Sequence, residues 1–201
     1  MSDWARRWNH NIHYHRLVLD AVPAGARTAL DVGTGNGLLA ADLHRLIREV
    51  TGIDLDRSVL DDARREDPSV HWLHGDVLDQ RLLPAASFDV VTSVATMHHF
   101  PDLEQALHRF AELTAPGGVV ALVGVARSSR PGDALYDAAG VVQHQWYSRR
   151  YGVWEHSAPT LWPPRHTYAE VRATAARMLP GMRWTRLPLW RYAVTWTKPH
   201  T

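Results

Sequence analysis

Apolar runs alternate with amphipathic stretches along the first 126 residues of the chain. This alternation is typical of βαβ units, in which helices connect parallel strands, so the pattern predicts an α/β fold. The runs predict strands at residues 28–32, 49–53, 71–73, 88–94 and 119–125. The amphipathic stretches predict helices at residues 38–47, 58–65 and 103–113.

Two of these helices have an apolar face that should pack on the sheet. In the first, the face consists of Leu39, Leu43, Leu46 and Ile47. In the third, it consists of Leu103, Ala106, Leu107, Phe110 and Leu113. Asp102 can cap the third helix, and Pro116-Gly117-Gly118 should separate this helix from the next strand. That strand is a continuous apolar run, as expected for a buried central strand.

The character of the chain changes after Ala126, since six of the nine tryptophans follow it. Residues 133–149 predict a helix with Leu135, Ala138, Val142 and Trp146 on one side. Residues 151–165 are rich in Pro and Trp and are expected to be irregular. A helix at 167–179 and strands at 182–187 and 190–197 follow. In these strands Trp184, Trp190 and Trp196 alternate as core residues would.

Composition restricts the class of protein. The chain has 201 residues, of which 45% are hydrophobic and 21% charged, so one soluble domain is expected. The net charge of +1 and the lack of a basic stripe disfavour nucleic acid as a partner. There is no cysteine, so disulfides and thiolate metal sites are excluded. No apolar run approaches ~20 residues. We expect a cytoplasmic monomer or homodimer without a metal or a membrane contact.

The segment Asp31-Val32-Gly33-Thr34-Gly35-Asn36-Gly37 lies between the first strand and the first helix. A strand, a glycine-rich turn and a helix N-terminus together hold a nucleotide-like ligand close to backbone N–H groups. The fingerprint of dinucleotide-binding proteins, G-x-G-x-x-G, needs its third glycine where Leu38 stands. The fit to NAD is therefore imperfect.

The glycine segment resembles motif I of the class I S-adenosylmethionine (SAM)-dependent methyltransferases, E/D-x-G-x-G-x-G. Two later segments, at residues 88–100 and 113–118, resemble motif IV with its His-His pair and the L-x-P-G-G turn of this family. The chain is thus similar to the type 11 and ubiquinone/menaquinone-pathway methyltransferases. The resemblance implies a doubly wound sheet of seven strands in the order 3-2-1-4-5-7-6, with strand 7 antiparallel. It also implies SAM as the methyl donor and S-adenosylhomocysteine (SAH) as the product.

The resemblance also implies a binding site for SAM. Asp54 would accept hydrogen bonds from the ribose hydroxyls, and Asp76 from the adenine amino group. Alternatively, Asp54 caps a turn and Asp76 forms an Asx turn. The full set of expected cofactor contacts is Tyr14, Asp31, Gly33, Thr34, Gly35, Asn36, Gly37, Asp54, Leu55, Gly75, Asp76, Val77, Ser93, Val94 and His98.

The expected domain covers residues 1–201, with a SAM-binding core at 28–126 and a final helix and strand hairpin at 167–201. Residues 1–22 are expected to form a helical lid, from which Tyr14 and His15 could touch SAM or the substrate. Alternatively, Trp8, Ile12 and Leu19 attach this segment to the core. Residues 127–166 are expected to cover the substrate side.

The favoured function is methyl transfer to a small molecule. The aromatic side chains of the tail would suit an aromatic acceptor. The catalytic base is expected to be His99 or His98, although either could serve the loop structure instead. Arg149 and Arg150 could meet an acidic substrate or be simply solvated. Two alternatives remain: an NAD-linked oxidoreductase and a non-catalytic SAM-binding module. Methylation of nucleic-acid bases is disfavoured, because no proline pair follows the fourth strand.

Overall fold

The computed structural model describes residues 7–154 and 162–200. Seven strands form one sheet in the order β3-β2-β1-β4-β5-β7-β6. The pairs from β3 to β5 are parallel, and β7 is antiparallel to both β5 and β6. This order confirms the doubly wound fold. The strands are β1 (Thr28–Val32), β2 (Glu49–Asp54), β3 (His71–His74), β4 (Phe88–Val94), β5 (Thr114–Val125), β6 (Arg183–Leu187) and β7 (Arg191–Thr197).

Helices cover both faces of the sheet. Because successive strand residues point to opposite faces, Leu30 belongs to one buried cluster and Ala29 to the other. The first cluster includes Phe110 of the fourth helix, and the second includes Leu43 of the second helix. The helices are α1 (His15–Leu19), α2 (Leu38–His44), α3 (Arg57–Glu66), α4 (Leu103–Leu113), α5 (Asp133–Tyr151) and α6 (Tyr168–Met178).

Several predicted elements agree closely with the structure. The bounds of β1 and β4 are those predicted, and all five apolar residues of the α4 face are buried. The Asp102 side chain accepts hydrogen bonds from the N–H groups of Glu104 and Gln105, so the predicted N-cap of α4 is confirmed. The helix predicted at 167–179 is α6, and Thr167 caps it.

Two predicted boundaries are wrong. Helix α2 ends at His44 rather than at residue 47, so Leu46 lies outside it and is 60% exposed. Strand β5 begins at Thr114, immediately after α4, and includes Pro116-Gly117-Gly118. The register of β5 against β4 shifts between Phe88 and Val90, and Gly117 has a φ of 77°. The glycines therefore form an irregularity inside the strand instead of a separate turn.

The helix predicted at residues 133–149 is α5. Leu135, Val142 and Trp146 of α5 are 76%, 68% and 59% exposed, so the apolar side faces solvent. Gly140 is the buried residue of this helix. A Cβ at Gly140 would come within 3.3 Å of the Leu189 nitrogen and the Trp190 ring. Helix α5 thus contacts the β6–β7 turn through its smallest residue.

The turn between β6 and β7 contains Leu189 and Trp190, both with left-handed backbones (φ of 54° and 57°). The N–H of Arg191 donates to the Pro188 carbonyl across this turn. Trp190 therefore precedes β7 and is not a residue of that strand, contrary to the predicted alternation. Two consecutive residues with positive φ are typical of a type I′ hairpin turn, whose twist matches that of the strands.

Candidate functional site

A cavity of about 1030 Å³ lies at the carboxyl ends of the central strands. This is where ligands bind in open α/β sheets. Of the residues predicted to form the site, most line the cavity and three do not. Those that line it are Asp31, Gly33, Thr34, Gly35, Asn36, Asp54, Leu55, Gly75, Asp76, Val77, Val94, His98 and His99. Tyr14, Gly37 and Ser93 are outside its lining.

The glycine loop is built for close approach. Gly33, Gly35 and Gly37 have φ values of 67°, 53° and 78°, a region that glycine adopts at no steric cost. A Cβ at Gly33 would lie 2.2 Å from the Thr96 side chain. A Cβ at Gly37 would instead meet the Trp72 ring at 2.5 Å. Gly33 thus permits close packing against Thr96 of the cavity lining, whereas Gly37 permits packing against Trp72, behind the cavity floor.

The loop N–H groups have partners within the protein. Those of Gly33 and Thr34 donate to the Ile53 carbonyl, and that of Gly37 donates to the Thr34 carbonyl. The N–H of Gly35 donates to Asp54 Oδ2 at 2.8 Å. The expectation that the loop presents free N–H groups to a ligand is therefore not met at these four positions. The loop contributes space and shape rather than these donors.

Asp54 ends β2 and links the loop to the next helix. Its Oδ2 accepts from Gly35 and its Oδ1 accepts from the Asp56 N–H at 2.9 Å. Each oxygen of a carboxylate can accept two hydrogen bonds, so capacity for two ribose hydroxyls remains. The observed geometry therefore allows Asp54 to cap the turn and to accept hydrogen bonds from a ribose at the same time.

Asp31 lies beneath the loop and is 2% exposed. Its carboxylate accepts from the Thr34 hydroxyl at 2.7 Å and from the Thr92 hydroxyl at 3.0 Å. Burial raises the pKa of Asp31 to about 7, although these two hydrogen bonds oppose the shift. A ligand with positive charge nearby would favour the ionised form.

After the end of β3, Asp76 Oδ1 accepts from the Leu78 N–H at 2.9 Å, as in an Asx turn. Asp76 nevertheless also lines the cavity. Leu55, on the same rim, is 69% exposed. An exposed leucine beside a polar rim offers an apolar surface to a flat ring.

His98 and His99 lie in a short 3₁₀ helix after β4, with ring centroids 4.2 Å apart. His98 is 7% exposed, and its Nδ1 has no hydrogen-bond partner among the described residues. Burial, together with His99 and Arg191, lowers the pKa of His98 to about 4. Burial also lowers the pKa of His99, but the ring is more exposed. Both rings are therefore neutral at neutral pH.

The N-terminal segment covers one side of the cavity. It contains a 3₁₀ turn (Ile12–Tyr14) and α1, and residues 1–6 lie outside the described residues. Tyr14 is buried, and its hydroxyl donates to the Pro188 carbonyl at 2.8 Å, which places it in the core. Ser93 is likewise held in the core, where its hydroxyl donates to the Val32 carbonyl. The segment reaches the cavity through Asn9, His10, Asn11, Ile12 and His15.

Two tryptophans of the segment expected to cover the substrate side, Trp154 and Trp162, line the cavity. Trp190, Arg191 and Asp137 also line it and were not predicted as site residues. Arg149 and Arg150, for which contact with an acidic substrate and solvation were the two alternatives, are exposed on α5 and outside the lining. The sequence gives one signal for Arg191: it is a lone arginine at the start of an apolar strand.

In the part of the chain that the structure describes, no group of three His, Asp or Glu side chains is arranged to hold a metal ion. Within the same residues, no helix combines the length and the apolar character needed to cross a bilayer. The carboxylates of the lining are concentrated at the glycine-loop end: Asp31, Asp54, Asp56 and Asp76. This end suits a cationic nucleoside, and the space above Gly33 suits its close approach.

Comparison with known proteins gives a consistent result. Residues 30–122 match the family model described as a methyltransferase domain. An uncharacterized methyltransferase of Mycobacterium tuberculosis is 44% identical over 195 residues, which cover 96% of this chain and 98% of the relative. A ubiquinone biosynthesis O-methyltransferase of Albidiferax ferrireducens is 32% identical over 145 residues, which cover 64% of this chain and 58% of the relative.

Among solved structures, a SAM-dependent methyltransferase from Aquifex aeolicus superposes with a TM-score of 0.63. The match covers 91% of this chain and 88% of the other, at 16% identity. At that identity the similarity shows the shared fold, including the seven-stranded sheet.

Proposed function

Since this chain belongs to the class I SAM-dependent methyltransferases, we propose that it methylates a small molecule bound against the aromatic wall of the cavity. The carrying observation is that the cavity extends beyond the residues that match SAM-binding motifs. It continues to Trp154, Trp162 and Trp190, which offer flat apolar surfaces. Its volume, about 1030 Å³, is at the upper end of the usual range of about 300–1,000 Å³ for ligand pockets.

The proposed cofactor contacts follow from the lining. Asp54 binds the ribose hydroxyls, Asp76 binds the adenine amino group, and Leu55 contacts the adenine ring. Asp31 and the loop from Gly33 to Asn36 lie next to the amino-acid part of SAM. These assignments rest on the positions of the residues in the cavity and on the acidic character of this end.

SAM supplies a methyl group on a sulfonium, which needs no further activation. In the transfer, a lone pair of the acceptor forms a bond to the methyl carbon, and the C–S electron pair stays on sulfur, giving SAH. The protein aligns acceptor and methyl group, which can contribute several kcal/mol, roughly 7–11 at the limit. His98, neutral and with an unpartnered Nδ1, can orient the acceptor by a hydrogen bond. His99 is the better candidate base because its ring is exposed, so that water can stabilise the protonated form.

An assay with methyl-labelled SAM tests the proposal. The purified protein is incubated with SAM and a panel of phenols, aromatic acids, amines and thiols, and products are identified by mass spectrometry. We expect SAH and a product heavier by one methyl group. SAH binding without turnover on any acceptor would favour a non-catalytic SAM-binding module, and NAD binding without SAH binding would favour an oxidoreductase.

A further inference from the structure

Arg191 is a buried cation that has no counter-ion among the described residues. It is the first residue of β7, lies opposite Val125 of β5, and lines the cavity. Its side chain is 8% exposed, and burial lowers the pKa of its guanidinium to about 10. Charge removed from water costs several kcal/mol unless an opposite charge compensates it. A buried guanidinium in a cavity wall is therefore expected to meet a negatively charged group.

The hydrogen bonds of Arg191 involve neutral groups. Its Nη1 donates to the Leu189 carbonyl at 3.2 Å and its Nη2 donates to the Asn11 side chain at 2.7 Å. Its Nε has no hydrogen-bond partner among the described residues. Within residues 7–154 and 162–200, no carboxylate forms an ion pair with it. Arg186, by contrast, has carboxylate partners. Its Nε lies 3.9 Å from Asp133 Oδ1, and its Nη2 lies 3.5 Å from Asp137 Oδ1.

The groups around Arg191 do not provide negative charge. His10 and His98 are close enough for its charge to lower the pKa of each, and both pKa values are about 4. These rings are therefore neutral at neutral pH. The remaining carboxylate at this end of the cavity, Asp137, accepts from the Ser128 hydroxyl and lies beside Arg186.

The cavity is consequently polarised. Four carboxylates line the glycine-loop end, where a cationic donor fits. The guanidinium lies on the other side, between Asn11 and the Trp190 turn. The two left-handed residues of that turn, each costing roughly 1–2 kcal/mol, immediately precede Arg191.

We propose that the methyl acceptor is an acidic small molecule whose carboxylate pairs with the Arg191 guanidinium, with its apolar body against Trp190. A planar guanidinium matches a carboxylate geometrically and forms charge-assisted hydrogen bonds with it. This inference rests on the proposed methyl transfer and specifies its substrate class. It assigns to Arg191 the role that sequence considerations offered to Arg149 and Arg150.

Benzoate is the simplest probe, and benzamide is its neutral control of the same shape. Binding of each to the SAH-saturated protein is measured by titration calorimetry. We expect benzoate to bind at least about tenfold more tightly than benzamide. Arg191→Gln should abolish this preference and Arg191→Lys should retain part of it. Arg149→Gln, which removes an exposed arginine of α5, should leave it unchanged. Equal binding of the two probes to the unaltered protein would overturn the proposal.

Asn11→Asp provides a second variant that keeps Arg191 in place. The new carboxylate would replace the amide that already accepts from Nη2 and would supply the missing counter-ion. We expect this variant to melt at a higher temperature than the parent and to lose the benzoate preference. If Arg191 had only a structural role, Asn11→Asp would still bind benzoate as the parent does. Unchanged benzoate binding in this variant would therefore also overturn the proposal.

The carboxylate could belong to SAM itself, and a third measurement separates this case. SAH contains the amino-acid carboxylate, whereas 5′-methylthioadenosine lacks it. We expect Arg191→Gln to bind both compounds as the parent does. A loss of SAH affinity with unchanged methylthioadenosine affinity would assign Arg191 to the cofactor and refute the acceptor role. Failure of the parent to bind SAH would instead refute the proposed function.

Discussion

At the scale of single residues, the site depends on carboxylates that serve structure and ligand together. Asp54 holds the glycine loop through Gly35 and the start of the next loop through Asp56. Without this side chain the loop would keep its backbone hydrogen bonds to Ile53 of β2 but would lose the bond at Gly35. The same two oxygens face the cavity that the ribose is proposed to enter.

Asp54→Asn tests this double role. The amide keeps the size of the side chain but lacks one acceptor oxygen and the negative charge, so SAH affinity should fall by about 1–3 kcal/mol. Titration calorimetry measures the change. Asp61→Asn, on the exposed side of α3, is the matched control and should bind as the parent does. A dissociation constant of Asp54→Asn within twofold of the parent would refute the ribose assignment.

Asp31 makes stability depend on pH. Its pKa of about 7 in the folded chain lies above the usual value of 3.8, because burial disfavours the ionised form. The folded state therefore holds a proton that the unfolded state releases. The stability from this residue is fully present below about pH 4 and is lost as pH rises through about 7.

Asp31→Asn removes this titration. The free energy of unfolding of the parent relative to Asp31→Asn should decrease between about pH 4 and pH 8, by roughly 1.4 kcal/mol per unit of pKa shift. Urea denaturation at several pH values measures it. Asp61→Asn again serves as the control, and its free energy of unfolding should depend on pH as that of the parent does. Parallel curves for Asp31→Asn and the parent would show that Asp31 is ionised throughout.

At the scale of elements, α4 and α5 show how far an apolar pattern determines packing. In α4 the apolar face meets the sheet and α6, and each of its members is buried. In α5 the apolar residues predicted to share one side face solvent, and the contact is made through Gly140. Periodicity identified a helix in both cases, but only in α4 did it identify the buried side.

The two leucines Leu107 and Leu135 give a matched comparison, since they are 1% and 76% exposed. Leu107→Ala should lower the free energy of unfolding by about 2–5 kcal/mol, because it removes buried methyl groups and leaves a cavity. Leu135→Ala should change it by less than about 0.5 kcal/mol, as is usual for exposed positions. Chemical denaturation measures both. A cost above 1 kcal/mol for Leu135→Ala would contradict its exposure in the folded chain.

At the scale of the whole molecule, the cavity is formed by parts of the chain that are distant in sequence. The glycine loop comes from the β1–α2 connection, the histidines follow β4, and Arg191 begins the last strand. The bond between Arg191 and Asn11 joins residues 180 positions apart. The Trp154 N–H donates to the Trp8 carbonyl, so the N-terminal segment also adjoins the end of α5. One end of this assembled cavity is acidic, and the other contains a single buried guanidinium.

The sequence by itself determined what depends on neighbouring residues. The glycine loop, β1, β4, the Asp102 cap and the buried face of α4 follow from local spacing and local hydrogen bonds. The strand order, by contrast, was predicted only through the resemblance to class I methyltransferases. The local features were predictable because their physical causes lie within a few residues of each other.

The tertiary structure alone decided what depends on partners elsewhere in the chain. The exposed side of α5, the core position of Tyr14 and the place of Gly37 behind the cavity floor all follow from contacts with other elements. Arg191 is the clearest case. Its sequence neighbours suggest an ordinary edge of a strand, and only the packing of Asn11, the β6–β7 turn and β5 around it makes it a buried, uncompensated charge.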